Sequence, residues 1–383
     1  MKIIRFGELY SIPTSNGVSR PSAVRGEGFH MINMGELFSF DVINEMPMER
    51  VFLSDKEQKK YIVKKGDLLF ARQSLVAAGA GKCSIVNNIL EPTTFESHLI
   101  RVRLDETRCC PRYYYYLFKL PDNPIKTIVN QCAQAGIRGS ELQKIKVPLP
   151  MLAEQRRIAS ILSAYDNLIE NNNKRICLLE QMAENLYKEW FVRFRFPGYE
   201  KTEFENGLPK GWSRAPLSTI CDFKKGKNIT SDEMCEGAIP VISAGVDASG
   251  YHNTSNVKGA CVTMSSSGAN AGFISIHYSD IWAADCSYIE ETTTPNIFYV
   301  YELLNNIRSI ITNFQRGAAQ PHVYPKDINR IKLIIPEINI IEVANKKFET
   351  IHNEIYKLQH QSTLLARQRD LLLPRLMSGK LEV

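Results

Sequence analysis

Two stretches of the chain carry apolar residues at helical spacing, and the remainder alternates over runs short enough for strands and small helices. In the first stretch Ile158, Leu162, Tyr165, Ile169, Asn172, Ile176, Leu179, Ala183, Leu186 and Trp190 follow one another at alternating steps of four and three. This is the heptad seam of a coiled coil, wide enough to bury against one partner helix. No Pro or Gly occurs between Met151 and Phe196, so the pattern predicts one helix of about 40 residues, near 60 Å long at roughly 1.5 Å per residue. The partner is the second stretch, where Ala344, Phe348, Ile351, Ile355, Leu358, Ser362, Leu365 and Leu372 repeat the same steps. Pro374 is expected to end it. A chain reversal between the two makes the pair antiparallel.

The two seams lie 186 residues apart, and the segments before them match at that same offset. Ile145-Lys146-Val147-Pro148-Leu149-Pro150 aligns with Ile331-Lys332-Leu333-Ile334-Ile335-Pro336. Each reads as a short apolar strand that ends at a proline and leads into a long helix. Further upstream, Gly66-Asp67-Leu68-Leu69-Phe70 and Gly259-Ala260-Cys261-Val262-Thr263 each precede a small-residue loop and then a second β-like run. The chain is an internal duplication. Its expected fold is mixed α/β (α+β), with globular units at 1–150 and 196–336. Long helices are expected at 151–195 and 337–383, packed as an antiparallel coiled coil. Pro and Gly at Pro197-Gly198 and Gly207-Leu208-Pro209 mark the break between the halves.

Composition narrows the class. A length of 383 residues exceeds what one core usually supports, which agrees with two units. The apolar runs fall well short of the roughly 18 residues of a membrane span. The start, Met1-Lys2-Ile3-Ile4-Arg5, carries no secretory apolar core. Nine cysteines without a CxxC spacing read as reduced thiols, so a cytoplasmic protein is expected. The charge is uneven: residues 1–150 hold 21 Lys and Arg against 15 Asp and Glu, whereas residues 196–336 hold 12 against 14. A polyanion would need a local basic cluster on the second unit.

No constellation of catalytic residues completes itself. Gly79-Ala80-Gly81-Lys82 lacks the first glycine of a P-loop and is followed by Cys83 rather than Ser or Thr. Ser265-Ser266-Ser267-Gly268 lacks the first glycine of a nucleophile elbow. There is no HExxH. Asp41 with Glu57-Gln58-Lys59 has the spacing of a metal nuclease, a pattern that charged loops also produce by chance. The reading is of a non-enzymatic protein without cofactor or metal.

At Pro148-Leu149-Pro150-Met151-Leu152-Ala153-Glu154-Gln155, and again at Trp190-Phe191, Phe194-Arg195-Phe196-Pro197-Gly198, Gly207-Leu208-Pro209 and Gly211-Trp212, the sequence resembles the specificity (S) subunit of type I restriction-modification systems. The tail Arg369-Asp370-Leu371-Leu372-Leu373-Pro374-Arg375-Leu376-Met377-Ser378-Gly379-Lys380 continues the likeness. The resemblance implies that each unit is a target recognition domain reading half of a split double-stranded DNA site, with the helices as a ruler. It implies two methyltransferase subunits and two restriction/translocase subunits as partners that do the chemistry. One departure stands out. Ile338-Asn339-Ile340 occupies the place of Glu154-Gln155 in the second repeat, so a contact made by that pair is not expected to be duplicated.

Base edges are read by amides and bidentate donors, and phosphates are held by cations, hydroxyls and backbone N–H groups. On that chemistry the candidates in the first unit are Arg72, Gln73 and Ser74, then Lys82 beyond the glycine bend, and Arg138. In the second unit they are Ser266 and Asn270, the basic cluster Lys224, Lys225, Lys227 and Asn228, and Arg316 with Gln320. The competing reading of each is a solvated turn. Arg20 and Arg25 stay undecided. Tyr113 to Tyr116 suggest a base-stacking platform, but the apolar residues after them favour a buried helix. Asn172 on the seam is expected to fix register.

Overall fold

The computed structural model describes residues 2–21, 25–74, 79–131, 135–317 and 321–382. They form two compact units, residues 1–169 with 364–383 and residues 170–363. The division cuts through both long helices, so each unit owns one end of the pair.

The first unit contains β1 (Lys2–Arg5), β2 (Tyr10–Asn16), β3 (Val42–Asn44), β4 (Leu68–Ala71), β5 (Gln73–Ser74), β6 (Cys83–Asn88), β7 (Leu99–Leu104), β8 (Asn130–Gln131), β9 (Ala135–Gly136) and β10 (Lys146–Leu149). Its main sheet has the order β2-β7-β4-β6-β3. Every side chain of β4 is buried, as expected for a strand covered on both faces. The helix α1 (Pro111–Lys119) packs on β6, and Pro at its first position suits a helix start. Tyr113 to Tyr116 are all buried in it, so they build core and stack no base. Strand β10 pairs antiparallel with β1 and feeds, through Pro150, into α2 (Leu152–Tyr187).

The second unit repeats this plan. It contains β11 (Ser213–Pro216), β12 (Lys224–Lys225), β13 (Cys261–Ser265), β14 (Ile274–His277), β15 (Cys286–Glu290) and β16 (Lys332–Ile335), with helices α3 (Ile297–Asn306) and α4 (Ile338–Met377). The sheet order β12-β15-β13-β14 reproduces β2-β7-β4-β6, all antiparallel. Strand β16 pairs with β11 as β10 does with β1. Each unit also carries a small sheet with one antiparallel and one parallel pairing: Glu49–Val51, Arg25–Ile32 and Thr93–Phe95 in the first, Gly250–His252, Ile239–Ile242 and Trp282–Ala283 in the second.

Within each unit the long helices pack together along the predicted seams. In the second, the buried Asn172 donates through Nδ2 to Gln361 Oε1 at 3.1 Å and Ser362 Oγ at 3.3 Å, and Arg175 pairs with Glu354 at 2.9 Å. The partner numbers fall as the α2 numbers rise, so the helices are antiparallel, and the buried amide sits where only one register satisfies it. In the first unit Asp166 pairs with Arg369 at 2.7 Å. Helix α2 runs on through a π turn at Lys188–Val192. The wider turn accompanies burial of both Trp190 and Phe191, and Phe196 stacks on Trp212 at 5.1 Å beyond it.

Pro374 does not end α4, which continues to Met377. Proline removes one N–H from a last turn, while Leu373, Leu376 and Met377 enter the core of the first unit. Burial outweighs the lost bond.

The short helices are tied to the long ones at repeat-equivalent places by different chemistry. Tyr116 donates to Asp166 at 2.5 Å, and 186 residues on, Glu302 meets His352 at 2.8 Å. The buried Gln155 accepts from Cys110 N–H at 2.8 Å and donates to the Pro150 carbonyl at 2.9 Å. That contact is indeed not duplicated in kind: in the second unit Asn345 Oδ1 accepts from the N–H groups of Phe298 and Tyr299, both at 3.1 Å. A buried N–H at a helix start demands an acceptor, and the next turn of the long helix supplies it. Gln155→Leu is expected to destabilise the first unit by about 1–3 kcal/mol, the cost of an unsatisfied buried donor. Chemical denaturation followed by a first-unit probe checks this, and an unchanged midpoint contradicts it.

Candidate nucleic-acid interface

Strand order brings the predicted residues of the first unit to one end of the main sheet. There β4 stops at Ala71, β6 begins at Cys83 and β7 begins at Leu99, with Ala71 in register with Leu99 and Phe70 with Cys83. Arg72 leaves β4 with its N–H on the His98 carbonyl at 2.8 Å, and its own carbonyl accepts from Ile137 N–H at 2.9 Å. Strand β5 then pairs with β9, Gln73 opposite Gly136, and β9 with β8, Asn130 opposite Gly136. Arg72, Gln73, Ser74 and Arg138 therefore share one edge. Arg138 is exposed at the start of the turn Gly139–Leu142, and Arg72, Gln73 and Ser74 are half-buried.

Lys82 reaches the same end with its ammonium already engaged. Its ammonium donates to the Phe38 carbonyl at 2.5 Å and lies 3.6 Å from Asp41. Lys119 also pairs with Asp41. Glu57 accepts from Ser54 N–H at 3.0 Å and pairs with Arg20 at 2.7 Å. These contacts give both carboxylates of the nuclease-like pattern structural partners. Arg25 pairs with Glu49.

The second unit repeats the assembly. Ser265 ends β13 opposite Cys286, the first residue of β15, and Lys225 of β12 lies opposite Ser287. Gly226 N–H bonds the Cys286 carbonyl at 2.8 Å and Lys227 N–H the Ala283 carbonyl at 2.9 Å. A Cβ on Gly226 would lie 2.3 Å from the Ala284 carbonyl oxygen, so only glycine allows this approach. Ser266 Oγ lies 3.4 Å from Ser287 Oγ. Pro321 and Val323 lie against this end, as Val323 N–H bonds the Ser266 carbonyl at 3.0 Å and Gly268 N–H the Pro321 carbonyl at 3.0 Å. Arg316 bridges to His322 as Asn130 pairs with Gly136, 186 residues earlier, and Ser267 bridges to His322 from the far side as Gln73 pairs with Gly136.

Ser266, Arg316 and the Lys224–Asn228 cluster thus meet at one sheet end, with Asn270 exposed on the turn Gly268–Asn270. Gln320 lies outside the described residues. Two of the cations are neutralised locally: Arg316 pairs with Asp327 at 2.9 Å and Lys224 with Glu290 at 2.7 Å. The Glu290 carboxylate, through that hydrogen bond, holds the Lys224 ammonium above the usual lysine range. Lys225, Lys227 and Asn228 are exposed. Sequence reasoning passed over His98 and Asp285, which stand immediately before β7 and β15 at these same ends. Their signal was position in the strand ladder, which needs the pairing to be known.

Among the described residues, no group of three or more His, Cys, Asp and Glu side chains is placed to hold a metal ion, and no helix is long and apolar enough to cross a membrane. The family model for the type I restriction modification DNA specificity domain matches residues 32–181 and 209–364. The chain belongs to this family. It is the DNA specificity subunit of a type I restriction-modification system, a non-catalytic component with two target recognition domains. It is 27% identical over 302 residues to the type I restriction enzyme MjaIX specificity subunit of Methanocaldococcus jannaschii, spanning 71% of this chain and 69% of that one. To the HindI specificity subunit of Haemophilus influenzae it is 20% identical over 421 residues, 85% of this chain and 88% of that one. Its fold is similar to a crystal structure of the type I S subunit from M. genitalium, with a TM-score of 0.64 at 17% identity over 98% of this chain and 95% of that one.

Proposed function

We propose that this specificity subunit reads a bipartite double-stranded DNA site in the cytoplasm, one half per unit. In this reading it scaffolds two methyltransferase and two restriction/translocase subunits, which carry the catalytic groups. The observation that carries the reading is the repeat-equivalent sheet end, where Arg72, Gln73 and Arg138 in one unit and Ser266, Lys225 and Lys227 in the other gather on paired backbone. Rigid strand ends hold side chains at fixed spacing, which base readout requires. Arg72, Gln73, Ser74, Arg138, Ser266 and Asn270 are assigned to contact DNA directly. Lys225, Lys227 and Asn228 are assigned to phosphates, because they are exposed on the net-acidic unit and need no base geometry. Lys82, Lys224 and Arg316 contribute charge from ion pairs that DNA can share or displace.

Lys225→Ala and Lys227→Ala test this assignment. Each removes one phosphate contact, so affinity is expected to fall by a similar factor on all sequences while the slope of log K against log salt shrinks by about one. Salt-series titration of the complex with cognate and scrambled duplexes measures both. Unchanged slopes would overturn the phosphate assignment.

A further inference from the structure

The two sheet ends share one side-chain couple. Ala71 is in register with Leu99 and Ser265 with Cys286, so Gln73, two residues beyond the first strand, corresponds to Ser267, and His98, one residue before the second, corresponds to Asp285. In both units these two residues are hydrogen-bonded: Gln73 Oε1 to His98 Nδ1 at 3.2 Å, and Ser267 Oγ to Asp285 Oδ2 at 2.8 Å. The place and the pairing are kept while the chemistry changes.

The outward functionality of the couples therefore differs. An amide oxygen only accepts, so His98 Nδ1 carries the proton and fixes the Gln73 amide plane. That bond leaves the Gln73 Nε2 donors and one oxygen lone pair uncommitted, a donor beside an acceptor. In the second unit Ser267 spends its proton on Asp285, and the carboxylate is left with acceptor sites alone. A donor–acceptor amide matches the N7 and N6 edge of adenine in the major groove, and a carboxylate matches the N4 amino group of cytosine. Gln73 and Asp285 are both half-buried, open enough for contact and enclosed enough to be held.

We propose that Gln73–His98 and Ser267–Asp285 are the equivalent specificity-determining couples of the two units. Gln73 reads an adenine with His98 as its positioning residue, and Asp285 reads a cytosine with Ser267 as its positioning residue. The inference rests on the reading of one half-site per unit.

The test is modified-base sequencing of cells producing the full chain, or its variants, with its methyltransferase partner. Gln73→Ala and His98→Ala are expected to relax selectivity roughly ten-fold at one and the same position of the first half-site. His98→Asn, which keeps an N–H donor, is expected to restore it. The double exchange Gln73→Ser with His98→Asp is expected to move the preference at that position from adenine toward cytosine, with the second half-site unchanged. If the wild-type chain directs no split motif, the half-site reading itself fails. If it does, and Gln73→Ala and His98→Ala leave every position as selective as before or relax different ones, the couple is not the reader and only this inference is overturned.

Discussion

Exchange of residues 1–150 for the first recognition domain of another family member is expected to replace one half of the recognised site completely and leave the other half as it was. The two units are built independently of one another. Each unit has its own main sheet, its own small sheet and its own sheet-end loops, and the hydrogen bonds that hold Arg72, Gln73 and Arg138 stay inside residues 1–150. The graft must still receive Ile158, Leu162, Leu373 and Leu376, which enter the first core from the long helices. Large-to-small mismatches there cost about 2–5 kcal/mol each. A soluble hybrid whose modification map changes in both half-sites would show that the units do not read independently.

The second large effect concerns spacing. The chain passes from one unit to the other only inside α2, after Ile169, and inside α4, after Thr363. Inserting one heptad into each helix at these points keeps the seams in phase and adds about 10 Å of rise, near three base pairs of DNA. The double insertion is expected to yield a soluble protein that recognises the same half-sites with a longer gap. Four residues added to α2 alone shift it by about 6 Å and bury Asn172 away from Gln361 and Ser362, so that variant is expected to lose binding or solubility. The measurement is again the gap in the modification map. A double insertion that still modifies the original gap would show that the helices do not set it.

Much of the frame was legible because it is written in periodicity. The seams, the helix lengths, the strand before each helix and the 186-residue repeat depend on which positions are apolar, and burial follows those positions at Ile158, Leu162, Phe348 and Ile355. The end of α4 was misread because a proline signal is local, whereas burial of Leu376 and Met377 is set by a core more than 200 residues away in sequence. The helix-start contact was hidden for another reason: Gln155 and Asn345 do the same work from positions that do not align. In the recognition units the repeat is carried by strand pairing rather than side-chain identity. Thus the small sheets and the places of His98 and Asp285 emerge only once registers are known. Residue type led to the basic and amide candidates, but it could not show that Lys82, Lys224 and Arg316 face acidic partners.

The most direct test is to place the gene for this chain, with a methyltransferase subunit of its system, in a host without one, and to map modified bases across the genome. The expected result is one split motif, two specified half-sites separated by a constant unspecified gap, present only when the chain is present. Modification that is independent of the chain, or a continuous motif without a gap, would contradict the account.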